Sequence, residues 1–361
     1  MALAKRLARS TTSIITYEEV RKRLGQTCYL LLGNGFSIAC DPIFRYESLY
    51  EAAVREGLSK RAQELFRRLG TNNFEGVMRL LDDSHWVARV YGLVKDKSEM
   101  LKDLEIIKTT LIRVISKSHL AHPGDIEDDR KAAAARFIKP YKIIFTTNYD
   151  LLLYWVAMFS GDPPPFQDCF RADEDDPESE YLVFTERLGD HSGILFLHGA
   201  LHFYLSVGEL RKHSWIRSGK RLTELIEDGL DKGQYPLFIA EGSPEKKLEQ
   251  IQGSGYLWYA LEKLRTIQSP LVLFGHSLGR SDGHVLNVIA KNRKLPELYV
   301  SLHGDVDSKS NRAIQRAAKQ LQTIRANVSG SPKSLEVFFY DSDSAEVWDS
   351  YKITRILDGG N

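Results

Sequence analysis

A carboxamide, a carboxylate and an imidazole stand where apolar runs of this chain end. Ile143-Ile144-Phe145 passes through Thr146 and Thr147 to Asn148 and Asp150, and Ile194-Leu195-Phe196-Leu197 passes directly to His198. A neutral imidazole accepts a proton from a hydroxyl or a water near neutral pH. A carboxamide donates and accepts at once, so it can hold a sugar hydroxyl or an attacking water in place. Each residue also has an ordinary use. Asn148 would cap a helix over Leu151–Phe159, and His198 would serve as a structural histidine bonded to backbone.

Recurrence favours the chemical reading. Tyr29–Ser37 (YLLLGNGFS), Leu271–Leu278 (LVLFGHSL), Tyr299–Gly304 (YVSLHG) and Val337–Asp343 (VFFYDSD) repeat the pattern of a short apolar run followed at once by Gly, His, Asn, Ser or Asp. Continuous apolar runs read as strands covered on both faces of a parallel sheet. In open α/β sheets, ligands bind where the carboxyl ends of such strands emerge, so strand ends of one kind imply one crevice. Within it, the glycines of Gly33-Asn34-Gly35-Phe36-Ser37 would let backbone approach a ligand, and free N–H groups of the turn and following helix would meet a pyrophosphate. Ile38 stands where the usual dinucleotide fingerprint has its third glycine, and a plain tight turn explains this segment equally well.

The elements needed to hold these ends in a row make up a doubly wound, mostly parallel Rossmann-like sheet of about six strands with helices on both faces. At 361 residues, 43% of them hydrophobic, the chain can bury the core of one large α/β domain over 1–361 with insertions, which excludes disorder. Tyr17–Leu24 reads as a short helix. Ser48–Leu69, Phe74–Trp86 and Val87–Leu120 carry apolar residues at helical spacing, so residues 48–138 are expected to form a helical subdomain inserted after the first strand. Gly161–Glu180, with its prolines and acidic run, reads as a solvated loop. A second excursion, with helical pieces around Arg211–Gly229 and Pro244–Ile251, reads as a lid-like insertion at 203–256. Ser214–Arg221 lacks the first glycine and the final Ser/Thr of a P-loop.

A formal net charge of +1 gives no reason to expect a nucleic-acid partner. Three scattered cysteines, Cys28, Cys40 and Cys169, cannot make a disulfide framework or a zinc ribbon, and they suit a reducing, cytoplasmic setting. No apolar run approaches the roughly eighteen residues of a membrane span. Met1–Thr16 is basic, hydroxyl-rich and acid-free in the manner of a transit peptide, and a frayed or weakly helical start is the expectation.

Gly33–Tyr50, GNGFSIACDPIFRYESLY, resembles the cofactor segment of the sirtuin family, of form GAGxSxxSGIPxFR…LY with one residue deleted. The match falls on Gly33, Gly35, Ser37, Pro42, Phe44, Arg45, Leu49 and Tyr50. TTNYD, LHG, GHSL and VFFYDSD then follow in the order of that family's TQN-x-D, catalytic HG, GTSL-type turn and late NAD-contacting strand end, so the motifs run from residue 29 to 343. The resemblance implies NAD held through Gly33, Asn34, Gly35, Ser37, Phe44, Arg45, Thr146, Thr147, Gly275, Ser277, Leu278 and Asp341. It implies Asn148 on the ribose or the attacking water, Asp150 on the ribose side, and His198 as the catalytic histidine. Asn34 and Cys40 depart from the family's Ala and Ser.

Protein-deacetylating sirtuins carry a four-cysteine zinc module between the HG motif and the GTSL turn, and no cysteine follows Cys169 here. The implied relatives are therefore the bacterial sirtuin-like proteins that hydrolyse NAD without a metal, many of them in antiphage defence. In that reaction nicotinamide leaves as a neutral base, and the oxocarbenium-like transition state needs a water held on the opposite face. An unregulated NAD hydrolase would exhaust its own cell, so a homo-oligomer or a complex with a separate sensor protein is expected to set the activity.

Two other readings stay open. Gly275–Gly279, GHSLG, satisfies the G-x-S-x-G nucleophile elbow of α/β-hydrolases, which would make Ser277 the nucleophile of an esterase with Asp305 and His303 or His284. Against it, Arg280-Ser281-Asp282-Gly283 delays the helix an elbow needs, and GNGFS and TTNYD are left without a role. The other reading is a non-catalytic sensor of NAD or ADP-ribose.

Overall fold

The computed structural model describes residues 13–349 except 95–98, 119, 121, 162–164, 186, 187, 190, 233, 240–242 and 331–333; the transit-peptide reading of Met1–Thr16 falls largely outside them. In chain order, β1 (Ile14–Ile15), α1 (Tyr17–Arg23), β2 (Tyr29–Leu32) and α2 (Gly35–Cys40) lead into five helices, α3 (Tyr46–Arg55), α4 (Lys60–Leu69), α5 (Phe74–Val90), α6 (Glu99–Ser118) and α7 (Asp128–Ile138). There follow β3 (Ile143–Thr146), α8 (Leu152–Phe159), β4 (Phe166–Gln167), β5 (Phe170–Arg171), β6 (Tyr181–Phe184), β7 (Ser192–Phe196), β8 (Gly199–Ser206) and β9 (Glu209–His213). The remainder is α9 (Trp215–Ser218), α10 (Leu222–Asp231), β10 (Pro236–Phe238), α11 (Pro244–Gln252), α12 (Gly255–Thr266), β11 (Leu271–Phe274), α13 (Gly283–Lys291), β12 (Glu297–Leu302), α14 (Lys309–Ala326) and β13 (Glu336–Asp341).

The expected parallel sheet is present, in the order β1-β13-β12-β11-β2-β3-β7-β4. Its strands are apolar on both faces because both faces are covered: Leu30, Leu31, Leu32, Ile144, Phe145, Leu195, Leu271, Val272 and Leu273 are all buried. From β2 the chain proceeds outward through β3 and β7, then returns to β11 on the other side of β2 and proceeds outward again through β12 and β13. The order reverses between β2 and β11, which is where such sheets open a ligand crevice. Register makes the ends level. Leu32 pairs with Thr146 on one side and with Phe274 on the other, and Thr146 pairs with Phe196.

Helices fill the interval between β2 and β3 as expected; within Val87–Leu120, α5 ends at Val90 and α6 starts at Glu99. At the far side of the sheet α13 is fastened by Arg325 of α14. That guanidinium is wholly buried and donates to the carbonyls of Ala290 and Ile289 in the last turn of α13, at 2.7 and 3.0 Å, and to that of Leu295 in the loop beyond it at 3.0 Å.

A second, antiparallel sheet, in the order β10-β8-β9-β6-β5, was not legible in the sequence. Arg211–His213, read as the start of a helical piece, belongs to the strand Glu209–His213 of this sheet. That strand pairs with β8 across the Val207-Gly208 turn, whose positive φ values of 52° and 81° suit a two-residue hairpin. Its alternation is masked by polar side chains that point inward: Lys212 is buried and ion-paired with Asp168. Gly161–Glu180 likewise is more than a loop, since it contributes β4 and β5 with Cys169 buried between them. No helix among the described residues is long and apolar enough to cross a membrane.

Candidate active site

A cavity of about 920 Å³ runs along the level strand ends, from His198 after β7 to His303 after β12. Four inter-strand steps separate those strands, which at about 4.8 Å each makes about 19 Å.

Asn148 is held from three sides. Its backbone N–H donates to Thr146 Oγ1 at 3.0 Å, and its Nδ2 donates to the Gly33 carbonyl at 3.1 Å and to Ser37 Oγ at 3.0 Å. A carbonyl only accepts, so the amide can face only one way, and Oδ1 remains as its acceptor at the cavity. Ser37 in turn donates a hydrogen bond from its own hydroxyl to Asp150 Oδ2 at 2.5 Å, while Asp150 Oδ1 accepts from the Leu152 amide at 2.9 Å. Asn148 does not cap α8: Leu151 holds the N-cap position, and the first amide of the helix is met by Asp150. Both its carboxylate oxygens are engaged within the protein, so it braces Asn148 through Ser37.

Gly33 and Gly35 interlock with Gly275. Gly33 N–H donates to the Phe274 carbonyl at 3.0 Å and Gly35 N–H to the Gly275 carbonyl at 2.9 Å. A Cβ on Gly33 would lie 2.6 Å from Gly275 O, and one on Gly275, whose φ is +66°, would lie 2.6 Å from Gly35 Cα. These glycines let two loops of the protein meet. The amides of Gly33 and Gly35 are therefore bonded to the neighbouring loop. Asn34 donates from Nδ2 to the Phe44 carbonyl at 3.1 Å, drawing the chain after α2 back over the turn.

His198 is 3% exposed. Its Nε2 lies 2.9 Å from His284 Nε2 and 3.8 Å from Asp282 Oδ1. Nearby, His276 Nδ1 accepts from the Leu278 amide at 3.0 Å and its Nε2 lies 3.4 Å from Asp282 Oδ2. Burial holds His198 well below the usual imidazole range, with His284, Lys247 and His276 adding to the effect. Burial likewise brings His284 down to about 4. These rings are neutral at pH 7. No group of three or more His, Cys, Asp or Glu side chains among the described residues is arranged to hold a metal ion.

Of the remaining expected residues, Phe44, Arg45, Thr147 and Ser277 line the cavity with the glycines and Asn34. Ser37, Thr146, Leu278 and Asp341 do not. Ser37 and Thr146 face inward behind Asn148, Leu278 is buried with φ at +51°, and Asp341 uses Oδ1 to bind the Asp343 amide. The cavity's far end is instead formed by Ser301, His303, Asn311, Ser342, Asp343 and Trp348. His303 Nδ1 pairs with Asp343 Oδ1 at 2.8 Å, and Trp348 Nε1 donates to the Phe36 carbonyl at 2.8 Å. His276 and Asp343 stood inside quoted motifs and were passed over for their neighbours; nothing in the sequence marks Trp348. The insertion at 203–256, expected as a lid, supplies no lining residue.

The hydrolase triad does not assemble. His303 is bonded to Asp343 rather than Asp305, His284 is bonded to His198, and no hydrogen bond joins either ring to Ser277 among the described residues. In a nucleophile elbow the serine carries the strained backbone, and here Leu278 does.

No curated protein matches the chain. Residues 30–348 match the model of a family described as a domain of unknown function, DUF4917, and the chain belongs to that family.

Proposed function

We propose that this protein hydrolyses NAD to nicotinamide and ADP-ribose. The observation that carries the reading is the placing of Asn148 and His198 at one end of a cavity that crosses the topological switch point and continues over the ends of β11 and β12. Such a cavity suits an extended dinucleotide, with its pyrophosphate near the turn after β2 and its nicotinamide riboside beside Asn148. Asn148 Oδ1 would accept from a ribose hydroxyl or orient the attacking water. His198, neutral and shielded, would take the proton that the water gives up as its oxygen bonds to the anomeric carbon and the neutral nicotinamide departs. The motif resemblance supports the same assignment.

The reading extends to control by assembly, in a homo-oligomer or with a separate sensor protein. Trp86, Val87, Val90, Tyr91 and Leu93 stand exposed at the end of α5, an apolar group of the kind that marks protein contacts. The test is direct. Purified protein incubated with NAD should release nicotinamide, detected by chromatography. Absence of release across pH and protein concentration, with NAD still bound, would make the protein a sensor instead.

A further inference from the structure

We propose that His284 and Asp282 are positioning residues for His198, the first holding its neutral form and the second its protonated form. The inference rests on the NAD-hydrolysis reading, and its geometry comes from which atoms face one another. His198 Nε2 and His284 Nε2 lie 2.9 Å apart, so one of the two rings donates there. His284 Nδ1 is buried without a hydrogen-bond partner among the described residues, and an orphaned lone pair costs less than an orphaned N–H, so the hydrogen of His284 sits on Nε2 and points at His198. A neutral His198 therefore carries its hydrogen on Nδ1 and a lone pair on Nε2.

His276 completes the assignment. Its Nδ1 accepts from the Leu278 amide, so its hydrogen sits on Nε2, facing Asp282 Oδ2. Asp282 places its other oxygen 3.8 Å from His198 Nε2. As the bond between the anomeric carbon and nicotinamide breaks and nicotinamide leaves as a neutral base, the water oxygen bonds to that carbon, its O–H breaks, and the proton settles on His198 Nε2. The His284 contact then sets donor against donor, and Asp282 Oδ1 is the acceptor on which the new N–H closes. His198 Nε2 thus has one partner for each of its states. The charged and titratable groups facing it are His284 from α13, Asp282 from the turn before it, His276 from the loop after β11, and Lys247 from α11.

The experiment measures kcat/KM for NAD against pH, together with NAD affinity by calorimetry, for the native chain, Asp282→Asn, His284→Leu and His284→Asn. Asp282→Asn removes the acceptor of the protonated form. Turnover should fall by on the order of tenfold or more while affinity changes little, and the acid limb should move to lower pH. His284→Leu removes the donor to the neutral form and should move the acid limb to higher pH, and His284→Asn, which restores an N–H, should move it back. A purely structural role would give no opposed displacement, so limbs that stay fixed or move together overturn the proposal. A second arm needs no substrate and no variant. Long-range proton–nitrogen NMR of the native chain should find His198 protonated on Nδ1 and bare on Nε2; a hydrogen on Nε2 overturns the pairing. If no NAD is consumed, the hydrolysis reading fails by itself, and the NMR arm still decides between His284 as donor and the reverse. It also decides if His284→Leu does not fold.

Discussion

The amide of Gly35 donates to the carbonyl of Gly275 at 2.9 Å, and a Cβ built on Gly35 would stand 2.5 Å from Gly275 Cα. Gly35 heads α2, where alanine is intrinsically better by about 1 kcal/mol. Contact outweighs propensity here, because backbone lies on both sides and neither loop can rotate away. Gly35→Ala should therefore destabilise the fold by about 2 kcal/mol. Gly25→Ala, with nothing within 4 Å of its new carbon, should change stability by less than about 0.5 kcal/mol. Urea denaturation of both variants makes the comparison.

Asn148→Ala removes the donor to the Gly33 carbonyl and Ser37 together with the acceptor at the cavity. Stability should fall by about 1–2 kcal/mol, and nicotinamide release by about a hundredfold or more. Turnover near the native rate would take Asn148 out of the site.

Ser277→Ala separates hydrolysis of NAD from ester chemistry. Ser277 is an exposed cavity residue with no hydrogen-bonded histidine among the described residues, so its loss should weaken NAD binding a few-fold and leave the chemical step intact. Loss of activity by several orders of magnitude would mark a nucleophile.

His202 is wholly buried, packed among Tyr154, Phe196 and Phe203, with neither ring nitrogen hydrogen-bonded among the described residues. Burial pushes it well below the usual value of 6.5. An unfolded chain then binds a proton that the folded one refuses, so stability is lost as pH falls below about 6.5, by up to about 1.4 kcal/mol per pH unit for each such ring. His202→Phe should flatten that decline without loss of stability at pH 7. Melting curves between pH 7 and 5 give the answer, and equal slopes would show that the ring is protonated in the fold.

The parallel sheet could be read from the chain because its strands are apolar on both faces and stop abruptly at polar residues; Leu31 and Phe145 have no other place to go. The antiparallel sheet could not, since Lys212 and His213 turn inward beside Asp168 and Tyr204 and erase the alternation that would announce β9. Motif reading located Asn148 and His198 at the cavity. It could not tell that Gly35 serves Gly275, that Asp150 is occupied by Ser37 and Leu152, or that Ser342 and Asp343, rather than Asp341, reach the cavity after β13. Those outcomes depend on partners distant in sequence, and a local pattern carries no trace of them.

Trp348 rests its ring 5.0 Å from that of Phe36, donates to the Phe36 carbonyl and borders the cavity. An indole in that position is an optical reporter supplied by the protein itself. Anything entering the cavity changes the polarity around it, so ligand arrival becomes visible as a change in ultraviolet emission. Of the chain's five tryptophans, Trp348 is the one among the residues that line this cavity, so the ligand-dependent part of the emission should disappear in Trp348→Phe, which lets loading of the site be timed separately from the bond it breaks.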